Sequence, residues 1–82
     1  METSVTRHIS SETPRVMVVD GSKVVRKIIE QLLHHDLPGV TVLSCSTGEE
    51  AKAHLTAGVV DLVTTALRLP DMDGLDLARY IR

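Results

Sequence analysis

Four consecutive apolar residues, Val16-Met17-Val18-Val19, run straight into Asp20-Gly21-Ser22. Alternate side chains of a strand point to opposite faces, so a run apolar at every position must be covered on both. That pattern suits a strand inside a parallel sheet under helices.

From Ser22 to about His35 the period becomes helical. Val24, Val25, Ile28, Ile29, Leu32 and Leu33 share one face, and Arg26, Lys27, Glu30 and Gln31 take the other. Ser22 is a suitable N-cap, and Asp36-Leu37-Pro38-Gly39 ends the helix. Val40 to Leu43 reads as a second short strand. Thr47-Gly48-Glu49-Glu50 then has the form of a capping box, with Glu50 reaching back to the cap residue. The helix it opens has a thin apolar stripe, Ala51 and Leu55, so it is expected to be weakly anchored. Gly58 closes it, and Val59 to Thr65, VVDLVTT, gives a third strand. A loop with Pro70 spans Ala66 to Gly74. Asp73 caps a last helix that starts at Gly74 or Leu75 and stays in register through Leu77, Ala78 and Ile81. Strands joined through helices run parallel with right-handed crossovers. The expectation is an α/β fold, half of a doubly wound sheet with flanking helices. Residues 1–14 are polar and aperiodic and read as a flexible lead-in, and residues 15–82 as the folded part.

With 82 residues the chain is one domain or part of one. A net charge of −2 and a single aromatic, Tyr80, argue against nucleic-acid contact. Cys45 is the lone cysteine, which excludes a disulfide framework and a thiolate-rich metal site. No apolar run approaches the roughly 18 residues of a membrane span. The N-terminus has no apolar signal segment either, so a cytoplasmic location is expected.

In open parallel sheets the functional crevice lies beyond the carboxyl ends of the strands. The residues there are Asp20-Gly21, Ser44-Cys45-Ser46 and Thr65-Ala66-Leu67. Asp20 alone puts a carboxylate at a strand tip, whereas Mg²⁺ wants several oxygen ligands. Asp20 therefore caps the following helix or holds the loop, or else gives weak cation binding. No metal site and no cofactor are expected. His34 and His35 at a helix end, with His54 and His8, form no zinc-ligand spacing. Cys45 reads as a partly buried small residue. The loop Leu69-Pro70-Asp71-Met72-Asp73 could bear a partner contact.

The segments VMVVDGSKVVRKIIEQLL, STGEEAKAHL and DLVTTALRLPDMDGLDLARYIR resemble the receiver domain of bacterial two-component response regulators, over roughly residues 15–82. The resemblance implies a flavodoxin-like parallel sheet, of which this chain would form a βαβαβα half with strand order 2-1-3. It also implies an acidic pair binding Mg²⁺ after strand one and an Asp ending strand three that accepts a phosphoryl group. Asp20 matches the first acidic position, but Gly21 stands at the second and Ala66 at the phosphoacceptor. Leu69 takes the usual Met slot of the loop motif, while Pro70 and Gly74 match it. A methyl group has no lone pair with which to attack phosphorus. Phosphoacceptor activity is therefore not expected, and no residue is assigned as catalytic.

As an edge, the β-branched third strand is an association hazard. Val60, Leu62, Val63, Leu77, Tyr80 and Ile81 are the candidate self-association residues, and a homodimer is the expected form. The function expected is a phosphorylation-independent interaction or dimerisation module that regulates an attached or partner output domain, and not an enzyme. Two alternatives remain: a small-ligand or weak cation sensor at the strand ends, and a conventional receiver inactivated by engineering at Ala66.

Overall fold

The computed structural model describes residues 13–81. The lead-in at residues 1–14 therefore lies, apart from its last two residues, outside the described residues, as do His8 and Arg82. The elements are β1 (Arg15–Val19), α1 (Lys23–Asp36), β2 (Thr41–Cys45), α2 (Gly48–Ala57), β3 (Leu62–Thr65) and α3 (Gly74–Ile81). All three strands are parallel in the order β2-β1-β3. The fold class read from the sequence is the one observed.

β1 is central, which is why its four apolar residues are all buried. Met17 and Val19 join Cys45, Ala51 and Leu77 in the core beneath α2 and α3. Val16 and Val18, on the opposite face, lie under α1. The register pairs Val19 with Cys45 on one side and Thr65 on the other. The carboxyl ends of the three strands therefore finish side by side.

Several boundaries differ from the sequence reading. β2 runs Thr41–Cys45 rather than Val40–Leu43, because the ladder with β1 continues to Val19. This carries Cys45 fully into the core. β3 begins at Leu62, not Val59. The segment before it is held by Arg15, whose Nε donates to the Val59 carbonyl at 2.8 Å and whose backbone N–H donates to the Asp61 carboxylate at 2.8 Å.

α1 buries none of its residues completely. Its six apolar positions span about 180° at roughly 100° per residue, and the sheet reaches only part of that arc. Val24, Ile28 and Leu32 are left 68%, 52% and 58% exposed, while Arg26 and Glu30 are half-buried.

α2 is better anchored than its thin stripe suggested. Ala51 is fully buried, and the four amides of the first turn all find acceptors. Gly48 and Glu49 donate to the Asp71 carboxylate at 2.8 and 3.0 Å, Glu50 to Thr47 Oγ1 at 3.1 Å, and Ala51 to the Thr47 carbonyl at 3.3 Å. A side chain on Gly48 would collide with Met72, whose Cε and Cγ lie 2.6 Å from where its Cβ would stand. The capping box closes one residue earlier than expected. Glu50 accepts from the Ser46 N–H at 2.9 Å and the Ser46 hydroxyl at 2.6 Å.

Candidate functional site at the strand ends

The loop from Ala66 to Gly74 forms one wall of the crevice. It folds back on itself through an antiparallel bridge between Arg68 and Asp73. The Leu69 N–H donates to the Met72 carbonyl at 2.9 Å, and the Gly74 N–H to the Leu67 carbonyl at 2.7 Å. Gly74 is needed because a Cβ there would overlap the Ala66 carbonyl oxygen and come within 3.1 Å of its carbon. Asp71 and Met72 turn onto the first turn of α2. The geometry of the loop itself accounts for these two residues: the amides of α2 already occupy the Asp71 carboxylate.

At the tip of β1, Asp20 holds the turn leading into α1 rather than capping the helix; the N-cap is Ser22. Its Oδ1 accepts from the Ser22 N–H at 2.8 Å, and Ser22 Oγ accepts from the Val25 N–H at 3.3 Å. Arg26 reaches back across the same edge. Its Nη1 donates to the Asp20 carbonyl at 2.6 Å and its Nε to Ser44 Oγ at 3.0 Å. Arg26 thus ties the ends of β1 and β2, a role its place on the polar side of α1 did not signal.

The two positions that depart from the family pattern also meet. Gly21 lies under the ring of Pro70, whose Cδ and Cγ stand 3.3 Å from where a Cβ would be. Ala66 continues β3, its N–H donating to the Val19 carbonyl at 2.9 Å. Beside it, Thr65 Oγ1 donates to the Ala66 carbonyl at 3.0 Å. Thr65, Ala66, Asp20 and Val19 border a cavity of about 240 Å³ with Thr64 of β3 and Val25 and Ile29 of α1.

The residues present do not fit the Mg²⁺ ion that the resemblance implies. Gly21 offers no donor, Ala66 offers a methyl, and one Asp20 oxygen is committed to Ser22. Octahedral oxygen coordination needs more carboxylate than this. Among the described residues no three His, Cys, Asp or Glu side chains converge as metal ligands.

Charge at this edge is set by hydrogen bonding. The Gly48 amide, helped by that of Glu49, holds the Asp71 carboxyl below its ordinary range. The Ser46 hydroxyl and amide do the same for Glu50. Burial pushes the Cys45 thiol up, reinforced by Glu50 and opposed by Arg26.

The candidate self-association residues do not all share a surface. Val60, Leu62, Val63 and Ile81 line an open hollow of about 390 Å³ with Leu55, Asp61 and Ala78. Tyr80 is half-exposed beside α2, its hydroxyl 3.3 Å from Thr56 Oγ1 and its ring 4.9 Å from Lys52 Nζ. Leu77 must be removed from the group. It is fully buried, because the apolar stripe of α3 points it at Met17 and Ala51.

A comparison with protein families matches residues 16–82 to the response regulator receiver domain. The C4-dicarboxylate transport transcriptional regulatory protein DctD of Rhizobium meliloti is 39% identical over 71 residues, covering 87% of this chain and 15% of that protein. A protein-glutamate methylesterase/protein-glutamine glutaminase of Nocardioides is 39% identical over 69 residues, covering 83% of the chain and 19% of the relative. Among solved structures, the non-phosphorylated HemR receiver domain of Leptospira biflexa superposes with a TM-score of 0.73 at 32% identity, covering 84% of this chain and 54% of that one. The receiver domain of an HD domain-containing protein of Pseudomonas fluorescens Pf-5 gives 0.78 at 31%, covering 94% and 55%. The chain thus spans about half of the solved receiver structures and under a fifth of these curated relatives. No described helix is long and apolar enough to cross a membrane. The parallel 2-1-3 sheet, the strand-end crevice and the matched residues together establish that the chain belongs to the response regulator receiver domain family, and so to the regulatory modules of bacterial two-component signalling rather than to the enzymes.

Proposed function

We propose that this chain is a phosphorylation-independent interaction module, derived from a receiver, that regulates an attached or partner output domain by protein contact in the cytoplasm. The observation that carries the reading is Ala66 at the end of β3, where the family places its phosphoacceptor. Phosphotransfer needs an oxygen lone pair to form the new P–O bond as the donor's bond to phosphorus breaks. It also needs a cation to hold the phosphoryl oxygens. A methyl group supplies no nucleophile. The cation site is short of ligands too, since Gly21 lies beneath Pro70 where a second carboxylate would be required.

Polar groups around the crevice are instead engaged in internal bonds. Asp20 holds the turn before α1, Arg26 bridges β1 to β2, and Asp71 clamps the loop to α2. The relatives carry their matched segment in proteins named as transcriptional regulators and methylesterases. That diversity favours contact with a separate output function over chemistry at the strand ends. Sensing of a cation through Asp20 would need ligands this edge does not provide.

The test is exposure of the chain and an Ala66→Asp variant to a small acyl phosphate with Mg²⁺, read by intact mass. The chain is expected to gain no phosphoryl group. Uptake by the unaltered chain overturns the proposal. Rapid uptake by Ala66→Asp favours a conventional receiver inactivated at that one position; no uptake favours a site lost at Gly21 as well.

A further inference from the structure

We infer that the loop from Ala66 to Gly74 and the first half of α2 open and close as one unit, latched by Asp71 and Met72, so that a contact made on either half changes the other. Such a unit responds to a partner whether or not the strand ends accept a phosphoryl group, and so goes beyond the reading above. Two consecutive side chains of the loop land on one turn of the helix. Asp71 Oδ1 accepts from the Gly48 N–H at 2.8 Å and Oδ2 from the Glu49 N–H at 3.0 Å. Hydrogen bonds to a charged acceptor are the stronger kind. Beside them the Met72 side chain fills the space over Gly48, its Cγ and Cε 2.6 Å from where a Cβ would stand.

α2 depends on that latch. It has ten residues, and helices shorter than about 12–15 residues are marginal in isolation. Of its side chains, Ala51 is fully buried and Leu55 packs partly against the core. Towards its far end it is held to α3: the Thr56 and Tyr80 hydroxyls lie 3.3 Å apart, and Lys52 Nζ is 4.9 Å from the Tyr80 ring centre. At the near end, the Asp71 carboxylate supplies acceptors for two of the four amides that a helix start leaves unpaired.

The loop depends on α2 in turn. Met72 has a place on both sides: its carbonyl accepts from the Leu69 N–H at 2.9 Å, and its side chain covers Gly48. A loop that opens therefore draws Met72 and the Asp71 carboxylate off the helix together. A first turn that unwinds leaves a carboxylate without its donors and a thioether without its seat. Neither half reaches a satisfied state alone, which makes their opening cooperative. The sheet is anchored separately, through bonds such as those from the Asp20 N–H to the Cys45 carbonyl at 3.0 Å and from the Asp61 N–H to the Arg15 carbonyl at 2.8 Å. By linkage, a partner that favours the open loop loosens α2, and one that favours the wound α2 closes the loop.

Native-state hydrogen exchange of the 82-residue chain, read by NMR against urea, tests the unit. The Ala51, Leu69 and Gly74 amides, hydrogen-bonded to Thr47, Met72 and Leu67, should show protection within about threefold of one another and a single urea dependence, shallower than that of the Asp20 and Asp61 amides. Thr47→Ala removes a hydroxyl that accepts from the Glu50 N–H in α2, and should speed exchange at Leu69 and Gly74 by the same factor as at Ala51, about fivefold. Asp71→Ala should speed all three together by about tenfold or more. Protection that differs more than about tenfold between α2 and the loop overturns the latch. So does a urea dependence equal to that of the sheet amides, or faster exchange at Ala51 after Thr47→Ala with Leu69 and Gly74 unchanged. The unaltered chain alone decides the first two, so a variant that fails to fold leaves the test intact. Phosphoryl uptake would defeat the proposed function and leave this exchange pattern standing, so the two failures are distinguishable.

Discussion

Replacing Gly74 by alanine probes the loop that shapes the crevice. An added Cβ would overlap the Ala66 carbonyl oxygen and press on the Ala66 carbon at 3.1 Å and Leu67 Cα at 3.2 Å. All of these are backbone atoms, so relief requires the loop to open. Opening gives up the Gly74–Leu67 and Leu69–Met72 hydrogen bonds, each contributing about 1 kcal/mol net. It also draws the first turn of α3 away from the sheet. Leu77 then leaves part of a burial that is worth about 1.5–3 kcal/mol in full. Against this, alanine gains about 0.5–1 kcal/mol through helix propensity and a less flexible unfolded chain. The balance is a loss of about 2 kcal/mol, a large share of the roughly 4–12 kcal/mol available to a chain of this length. At a urea dependence of about 1 kcal/mol per molar, the unfolding midpoint should fall by about 2 M. A midpoint that is unchanged or raised would refute the close approach of residue 74 to Ala66. Gly39→Ala is the control: it has open space but a φ of 86°, so it should cost only about 1 kcal/mol.

Leu77→Ala should cost about 3–5 kcal/mol in the same urea titration, since Leu77 is fully buried among Met17, Val19 and Ala51; a loss below 1 kcal/mol would place it at the surface after all. Asp71 and Glu50 have carboxyls lowered by the α2 amides and by Ser46, so their stabilisation is complete above the ordinary carboxylate range and is lost as pH falls through the lowered values. Urea titrations below about pH 5 should show stability declining with acid, and Asp71→Asn should flatten that decline; an unchanged slope would mean the clamp is absent. The Cys45 thiol, raised by burial, should react with a thiol reagent at neutral pH only on unfolding, and rapid modification of the folded chain would contradict its place in the core.

Local pattern and tertiary contact were unequally legible in the sequence. Val16 to Val19 announced a strand covered on both faces because no other environment accommodates four apolar residues in a row. Ser22 and Thr47 announced helix starts because their hydroxyls act within one turn. The positions without phosphoacceptor chemistry, Gly21 and Ala66, were visible because an absent functional group is a fact of composition. Asp71 was read as loop because its acceptor role spans 23 residues to Gly48, with no local signature. Arg26 was placed on the polar side of α1, although its long side chain bends back to Asp20 and Ser44. The half-circumference stripe of α1 could not reveal which part meets the sheet. Leu77 was assigned to the outer surface because periodicity identifies an apolar face without saying which neighbour it meets.

The central claim is that the strand-end crevice answers to neither a phosphoryl donor nor a divalent cation. Amide spectra of the chain, recorded before and after addition of Mg²⁺ and a small acyl phosphate, test it directly. The amides of Val19 to Ser22, Thr64 to Leu69 and Gly48 should stay in place through the titration. Saturable shifts confined to those residues would show a working cation or phosphoryl site and contradict the account.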